Sequence, residues 1–248
     1  MEEIINIENL MFSYADKNNV INNLSLKCTA CEKIAVIGAN GSGKTTLFLI
    51  MCGLLKSTKG SIFVSEKQIE FNTFNPQISY LFQSPDDQLF SASIFDDVAF
   101  GPLNIELSKN EILNRVESAL QKTNIIELKE KSPHHLSGGE KRLAAIATLI
   151  SMSPDVYLFD EPTSNLDAKN RRNIINLINE MDKTMMISSH DLEFLLEVCS
   201  RCILISDGKI IADGEIKSIL KNEKLLFEHH MEKPHSLIPH KHNLRDNN

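Results

Sequence analysis

No stretch of the chain is apolar for anything near the ~20 residues needed to cross a bilayer, so a membrane-spanning helix is not expected. Its opening, Met1-Glu2-Glu3-Ile4, lacks the charged-then-apolar layout of a secretory leader, and the expected location is the cytoplasm. A basic excess is missing too. The formal net charge of −7 weighs against a large nucleic-acid footprint, because phosphate backbones are held by basic faces. Cysteine is scarce and odd in number: Cys28, Cys31, Cys52, Cys199 and Cys202. With no export signal, structural disulfides are not expected. Four of the five form two C-x-x-C pairs, but these lie about 170 residues apart, whereas a zinc ribbon wants ~15–20 between pairs. They read as small apolar residues at strand ends, with a zinc or redox site as the alternative. What is present is ordinary for a soluble globular protein, 42% hydrophobic and 24% charged residues. A chain of 248 residues can bury on the order of 70% of its unfolded surface without staples.

Against that background one stretch stands out. Gly38-Ala39-Asn40-Gly41-Ser42-Gly43-Lys44-Thr45-Thr46 fits G-x-x-x-x-G-K-[ST] and follows the apolar run Ile34-Ala35-Val36-Ile37. Glycines at 38, 41 and 43 let the backbone curl so that several N–H groups face one hollow, and a helix from Lys44 adds its positive end. Lys44 is placed to reach the β/γ-phosphates of a nucleotide, and the Thr45 hydroxyl to take a place on a bridging magnesium ion. Leu47, Phe48, Ile50, Met51, Leu54 and Leu55 supply the helix that this loop requires after it.

The rest of the chain supplies a scaffold. Alternation at Ile5, Ile7, Leu10, Phe12 and Tyr14, then at Val20 to Cys28, predicts an antiparallel β layer with a turn at 15–19. Tyr14 ends its first strand, where an aromatic face could stack on a base. More strand material follows at 62–69, and Ile78-Ser79-Tyr80-Leu81-Phe82 runs into Gln83. From 85 to about 150 the pattern turns helical. Capping boxes are expected at Ser108-Lys109-Asn110-Glu111 and at Ser137-Gly138-Gly139-Glu140. Val156-Tyr157-Leu158-Phe159 and Met185-Met186-Ile187 read as parallel strands covered on both faces, and Asp207-Gly208 as a hairpin turn. No internal repeat is visible.

Two of these strands end in chemistry. Asp160-Glu161 closes one and His190 lies just past another, at the carboxyl ends where open α/β sheets bind ligands. Phosphoryl transfer needs a positioned nucleotide, a held magnesium and an oriented water. Asp160 suits the magnesium, directly or through water, and Glu161 the polarisation of the attacking water. Gln83 and His190 could meet that water and the phosphate from either side, with Gln83 also a candidate magnesium contact.

Leu136-Ser137-Gly138-Gly139-Glu140 resembles the signature of the ABC-transporter ATPases. Asp160-Glu161-Pro162-Thr163 followed by Ser164-Asn165-Leu166-Asp167 is similar to that family's acidic strand and D-loop, and His190 to its switch histidine. The likeness covers residues 1 to about 220. It implies an α/β fold, an ABC-type P-loop domain with a mostly parallel core sheet, an N-terminal antiparallel layer and a helical subdomain at about 85–150. The ATPase domain is then 1–225, with a flexible tail at 226–248. The resemblance further implies ATP and Mg2+ as ligands and two copies bound head to tail. Ser137, Gly138 and Gly139 of one copy would close over ATP held by Gly38, Asn40, Gly41, Ser42, Gly43, Lys44, Thr45 and Thr46 of the other. One departure is Glu140, where many members carry glutamine.

Tyr80 to Phe90, Asp97 to Asn104 and Ser132-Pro133-His134-His135 look like the ATPase of energy-coupling-factor importers of vitamins, cobalt or nickel. That implies separate integral membrane subunits, one of which seats a helix in the region after Gln83, with the chain on the cytoplasmic face of the membrane. Five of the eight histidines lie at 229–242, and imidazole suits nickel and cobalt. The expectation is an ATPase driving cobalt or nickel import, most simply as a homodimer, without nucleic acid. A vitamin importer is the alternative, and a soluble ABC ATPase acting on ribosomes or DNA a more distant one.

Overall fold

A computed structural model of the protein describes residues 2–238; His240 and His242 of the histidine-rich stretch lie outside the described residues. Strands β1 (Glu3–Phe12) and β2 (Ile21–Thr29) pair antiparallel, with Ile5 opposite Cys28 and Ile7 opposite Leu26. Next come β3 (Lys33–Ile37) and α1 (Lys44–Met51), the strand and helix on either side of the glycine-rich loop. The chain then returns to the first sheet through β4 (Lys59–Val64) and β5 (Lys67–Gln68), giving the order β2-β1-β4-β5.

The second sheet is assembled from distant segments. After β6 (Ile78–Leu81) the chain leaves it for α2 (Ile94–Leu103), α3 (Lys109–Lys122) and α4 (Gly138–Met152). It returns as β7 (Val156–Asp160), α5 (Ala168–Glu180), β8 (Thr184–Ser188), α6 (Leu192–Val198), β9 (Arg201–Ser206) and β10 (Lys209–Glu215). The order is β10-β9-β3-β8-β7-β6, parallel except for β10, which folds back on β9. That reversal is made at Asp207 and Gly208, with φ of 48° and 71°, the left-handed pair expected of a tight hairpin.

Side-chain alternation in the central sheet sorts its residues between two cores. Ala35, Ile37, Tyr157, Phe159, Met185, Ile187, Cys202 and Leu204 face the helices α2 to α6. Their neighbours Ile34, Val36, Val156, Leu158, Met186, Ile203 and Ile205 face α1 and the antiparallel sheet. A period of two on a sheet buried on both sides needs apolar residues at every position, which is why these strands read as continuous apolar runs.

Two expectations need adjusting. Ser108 accepts from the Glu111 amide, but Glu111 reaches forward to Arg115 at 3.1 Å, so this box is half made, whereas both halves form at Ser137 and Glu140. The tail is not loose from residue 226 onward. After α7 (Ile216–Lys221), α8 (Glu223–Glu228) buries Leu226, Met231 and Leu237 pack on the helical core, and the Ser236 amide donates to Glu193 on α6 at 2.9 Å. Apolar anchors hold it. The cysteines are all free, and among the described residues no group of three or more His, Cys, Asp or Glu is placed to hold a metal. Burial pushes the Cys28 and Cys202 thiols up to about 12, which makes both poor thiolates.

Candidate functional site

The site is built at the carboxyl ends of β3, β7 and β8, with the segment after β6 beside them. Between β3 and α1 the loop turns through left-handed glycines, and Gly43 shows why. Its φ is 110°, and a Cβ there would stand 2.7 Å from the Val20 carbonyl oxygen. Gly43 also occupies the cap position of α1 with no side chain to cap it, so the first-turn N–H groups stay free for another acceptor. Lys44 lies across the same loop, its Nζ donating to the Gly38 and Ala39 carbonyls at 2.8 and 3.1 Å. Burial lowers its pKa, against the pull of the Glu161 and Asp160 carboxylates. Ser42 Oγ is buried without a partner, a donor suited to an anion.

Asp160 and Glu161 are neighbours with different surroundings. Asp160 is buried and accepts from Thr45 Oγ1 at 2.7 Å, from the Tyr80 hydroxyl at 3.1 Å and from Ser188 Oγ. Ser188 stands opposite Asp160 in the β7–β8 register, so the contact follows from strand pairing. Glu161 has φ of 51°; its Oε2 accepts from Ser189 Oγ at 3.3 Å and from the His190 amide at 3.4 Å. Its Oε1 is buried with no hydrogen-bond partner and lies 3.7 Å from His190 Nε2. Burial, the largest influence, raises the Glu161 carboxyl above its ordinary range, while the nearby His190 draws it back down.

Around these residues lie two adjoining cavities. One, of ≈ 340 Å³, is lined by Tyr14, Lys17, Asn40, Gly41, Gly43, Lys44, Thr45 and Thr46 on the loop side and by Gln83, Asp160, Glu161 and His190 opposite. The other, of ≈ 820 Å³, shares Gln83, Glu161 and His190 and reaches Gly138, Arg142 and the 163–166 segment. Nearly every residue singled out in the sequence therefore meets in one place. Ser137, Gly138 and Gly139 do not line the smaller cavity. Ser137 is engaged with Glu140, Gly139 is pressed against Asn170, and Gly138 faces open space. Tyr14 does reach the cavity, its hydroxyl 3.2 Å from Thr46 Oγ1.

Sequence reasoning missed the second row of residues behind the first. Tyr80 and Ser188 hold Asp160, Ser189 holds Glu161, and Arg171 on α5 grips Asp191 at 2.6 Å, fixing the residue after His190. Ser188-Ser189 sits directly before His190, and that run of polar residues closing a buried strand was a usable signal. Tyr80 gave none, being one aromatic among several in strands.

A curled phosphate-type loop opening a helix, facing a hydroxyl-bound aspartate and an unpartnered glutamate at parallel strand ends, defines a P-loop nucleotide-binding ATPase. The family description "ABC transporter" matches residues 21–164, and the chain belongs to the ABC transporter ATPase family. It is an ABC ATP-binding subunit and an ATP hydrolase. An energy-coupling factor transporter ATP-binding protein of Carboxydothermus hydrogenoformans is 40% identical over 240 residues, covering 94% of this chain and 88% of the relative. One of the same description from Methanothermobacter thermautotrophicus is 36% identical over 231 residues, covering 90% and 74%. Among solved structures, cbiO1 of Clostridium perfringens, part of the ABC transporter complex cbiONQ, superposes with a TM-score of 0.80 at 33% identity, covering 92% of this chain and 94% of that one.

Proposed function

We propose that the chain hydrolyses magnesium-bound ATP at the smaller cavity to drive an energy-coupling-factor importer of cobalt or nickel. The observation that carries the ATPase part is the meeting of Thr45, Asp160, Gln83, Glu161 and His190 around one cavity. Hard oxygen donors in direct contact, the Thr45 hydroxyl and the Asp160 carboxylate, suit magnesium, with Gln83 beside them. The ion would neutralise charge on the phosphates. Lys44, the loop amides and Ser42 hold the phosphates, and Tyr14 borders the base. Glu161, raised by burial and with one free oxygen, takes a proton from the attacking water, and His190 faces the same carboxylate.

Two identical chains bind head to tail in this reading, Gly138 and the start of α4 closing over the partner's nucleotide. Membrane subunits dock at a separate groove of ≈ 620 Å³ lined by Phe74, Phe82, Phe90 and Phe100 with Asp87 at its edge. Phe90, 68% exposed, packs edge-on against Phe100, an apolar surface fitted to the apolar face of a short helix carrying a cation. The groove and the nucleotide site are joined by the 82–88 segment; in this reading the chain works at the cytoplasmic face of the membrane.

The cargo reading rests on the histidines from His229 onward, of which His229, His230 and His235 lie among the described residues. Its test is accumulation of cobalt and nickel, with a B-vitamin as control, in the native host carrying either this chain or Glu161→Gln. Loss of metal with vitamin uptake intact supports the proposal. Unchanged metal with falling vitamin uptake replaces it with a vitamin importer.

A further inference from the structure

We propose that Arg142 is the positioning residue of Gln83, locking the helix that opens at Ser137–Gly139 and the 82–88 segment into one body. The inference rests on the reading of Gln83 as a contact to the nucleotide, its magnesium or the attacking water. Arg142 lies one turn into α4, and it is 3% exposed. Its Nη1 donates to the Phe82 carbonyl at 2.8 Å and its Nη2 to the Gln83 carbonyl at 2.5 Å. A buried guanidinium normally finds a carboxylate, whose two oxygens match its fork. Here the fork spans two consecutive peptide carbonyls, so it fixes the main chain on both sides of the Gln83 Cα. The Gln83 side chain is itself exposed and makes no side-chain hydrogen bond in the described structure, so its aim is set by that backbone.

Two further ties run between the same pieces. Gln88 accepts from the Phe82 amide at 3.3 Å and donates to Ala145 O at 2.9 Å and to Thr148 Oγ1 at 2.7 Å, both on α4. Lys141, next to Arg142, pairs with Asp86 at 2.6 Å, with the aspartate mostly exposed. Of these ties only that of Arg142 holds Gln83 itself. Arg142 lines the larger cavity together with Gln83 and Glu161, while Phe82, Asp87 and Gln88 line the apolar groove on the other side of the segment. A displacement of α4 at Gly138 is therefore handed directly to Gln83 and to the groove, without passing through the central sheet. Arg142 itself touches no reacting atom; it acts through Gln83.

The experiment is a double-mutant cycle on the full chain, reading kcat and KM for MgATP by phosphate release alongside the melting temperature. Arg142→Met is expected to lower kcat about tenfold with KM held within about twofold, the pattern of a lost transition-state arrangement. Arg142→Lys keeps the charge without the fork and falls between the two. In a Gln83→Ala background Arg142→Met is expected to cost less than about twofold more, since the residue it positions is already gone. Equal losses in both backgrounds, or a lowered melting temperature with unchanged kcat, overturn the inference. Should Arg142→Met not fold, Arg142→Lys takes its place in the cycle, and the same results support or overturn the inference. If Gln83→Ala alone leaves kcat unchanged, the role given to Gln83 falls; if it lowers kcat and the losses still add, only the Arg142 inference falls.

Discussion

Replacing Glu161 by glutamine is expected to stabilise the protein while removing its turnover. The wild-type side chain is 12% exposed, one of its oxygens is buried without a partner, and the Asp160 carboxylate is its neighbour in sequence. An unsatisfied buried polar atom costs about 1–3 kcal/mol. The amide keeps an acceptor and sheds the charge, so a gain of about 1 kcal/mol is expected, which in a domain of this size is a rise of about 2–4 °C in melting temperature. The sign of the pH dependence follows from the raised carboxyl. The folded state binds this proton more tightly than the unfolded state, so the wild type loses stability as pH climbs from the ordinary value of 4.5 through the raised folded value. The advantage of Glu161→Gln is therefore largest above that window and shrinks toward its lower edge. Calorimetry at about pH 8 and about pH 5, paired with phosphate release, tests both halves, with turnover expected to fall about 10²- to 10⁴-fold. A melting temperature unchanged or lowered at the higher pH refutes the reasoning, as does an equal gain at both.

Glu140→Gln should be nearly silent, with ATP turnover within about twofold of wild type, because glutamine serves equally well in a capping box. Glu140→Ala removes the acceptor that the Ser137 amide and hydroxyl use and should lower the melting temperature by about 2–4 °C, a cap being worth about 1 kcal/mol. The cap also holds the Glu140 carboxyl below its usual range, so its contribution is present at neutral pH and lost as pH falls through the lowered value; a pH series on Glu140→Ala reads this directly. Gly43→Ala forces a side chain into a left-handed turn against the Val20 carbonyl and should cost about 1–3 kcal/mol in a urea titration, with a matching loss of nucleotide affinity.

The sequence made the covered strands and the glycine loop legible because each rests on a short-range rule. A parallel strand buried on both faces is apolar along its middle, and β7 and β8 are buried at all five positions each, polar only at their ends, at Asp160, Thr184 and Ser188. A phosphate loop must have glycine where the backbone is left-handed, and Gly41 and Gly43 are both in that region. The residues that escaped notice depend on long-range pairing. Arg142 meets Phe82 and Gln83 across about 60 residues of chain, and Tyr80 meets Asp160 across 80. Nothing local distinguishes Arg142 from any other arginine on a helix. The docked tail was missed for a related reason: the polar, histidine-rich composition after residue 226 outweighed Leu226, Met231 and Leu237, whose spacing follows no helical or strand period.

The contrast between Asp160 and Glu161 follows from one backbone angle. Strand alternation sends the Asp160 side chain to the α1 face of the sheet, where Thr45, Tyr80 and Ser188 supply three hydroxyl donors and leave it fully engaged. Glu161, one position on, leaves the strand with φ of 51°, a conformation that costs a non-glycine residue on the order of 1 kcal/mol or more. Its amide still donates to the Ser188 carbonyl at 3.0 Å, so β7 is held at its end while the side chain turns toward both cavities. The strain therefore coincides with the carboxylate of this pair that keeps an oxygen free. A glycine would relieve the turn but would remove the carboxylate proposed as the base. The sequence Asp-Glu at a strand end thus divides two tasks between neighbours: a fixed acceptor suited to a metal ion, and a raised, partly unsatisfied carboxylate suited to a proton.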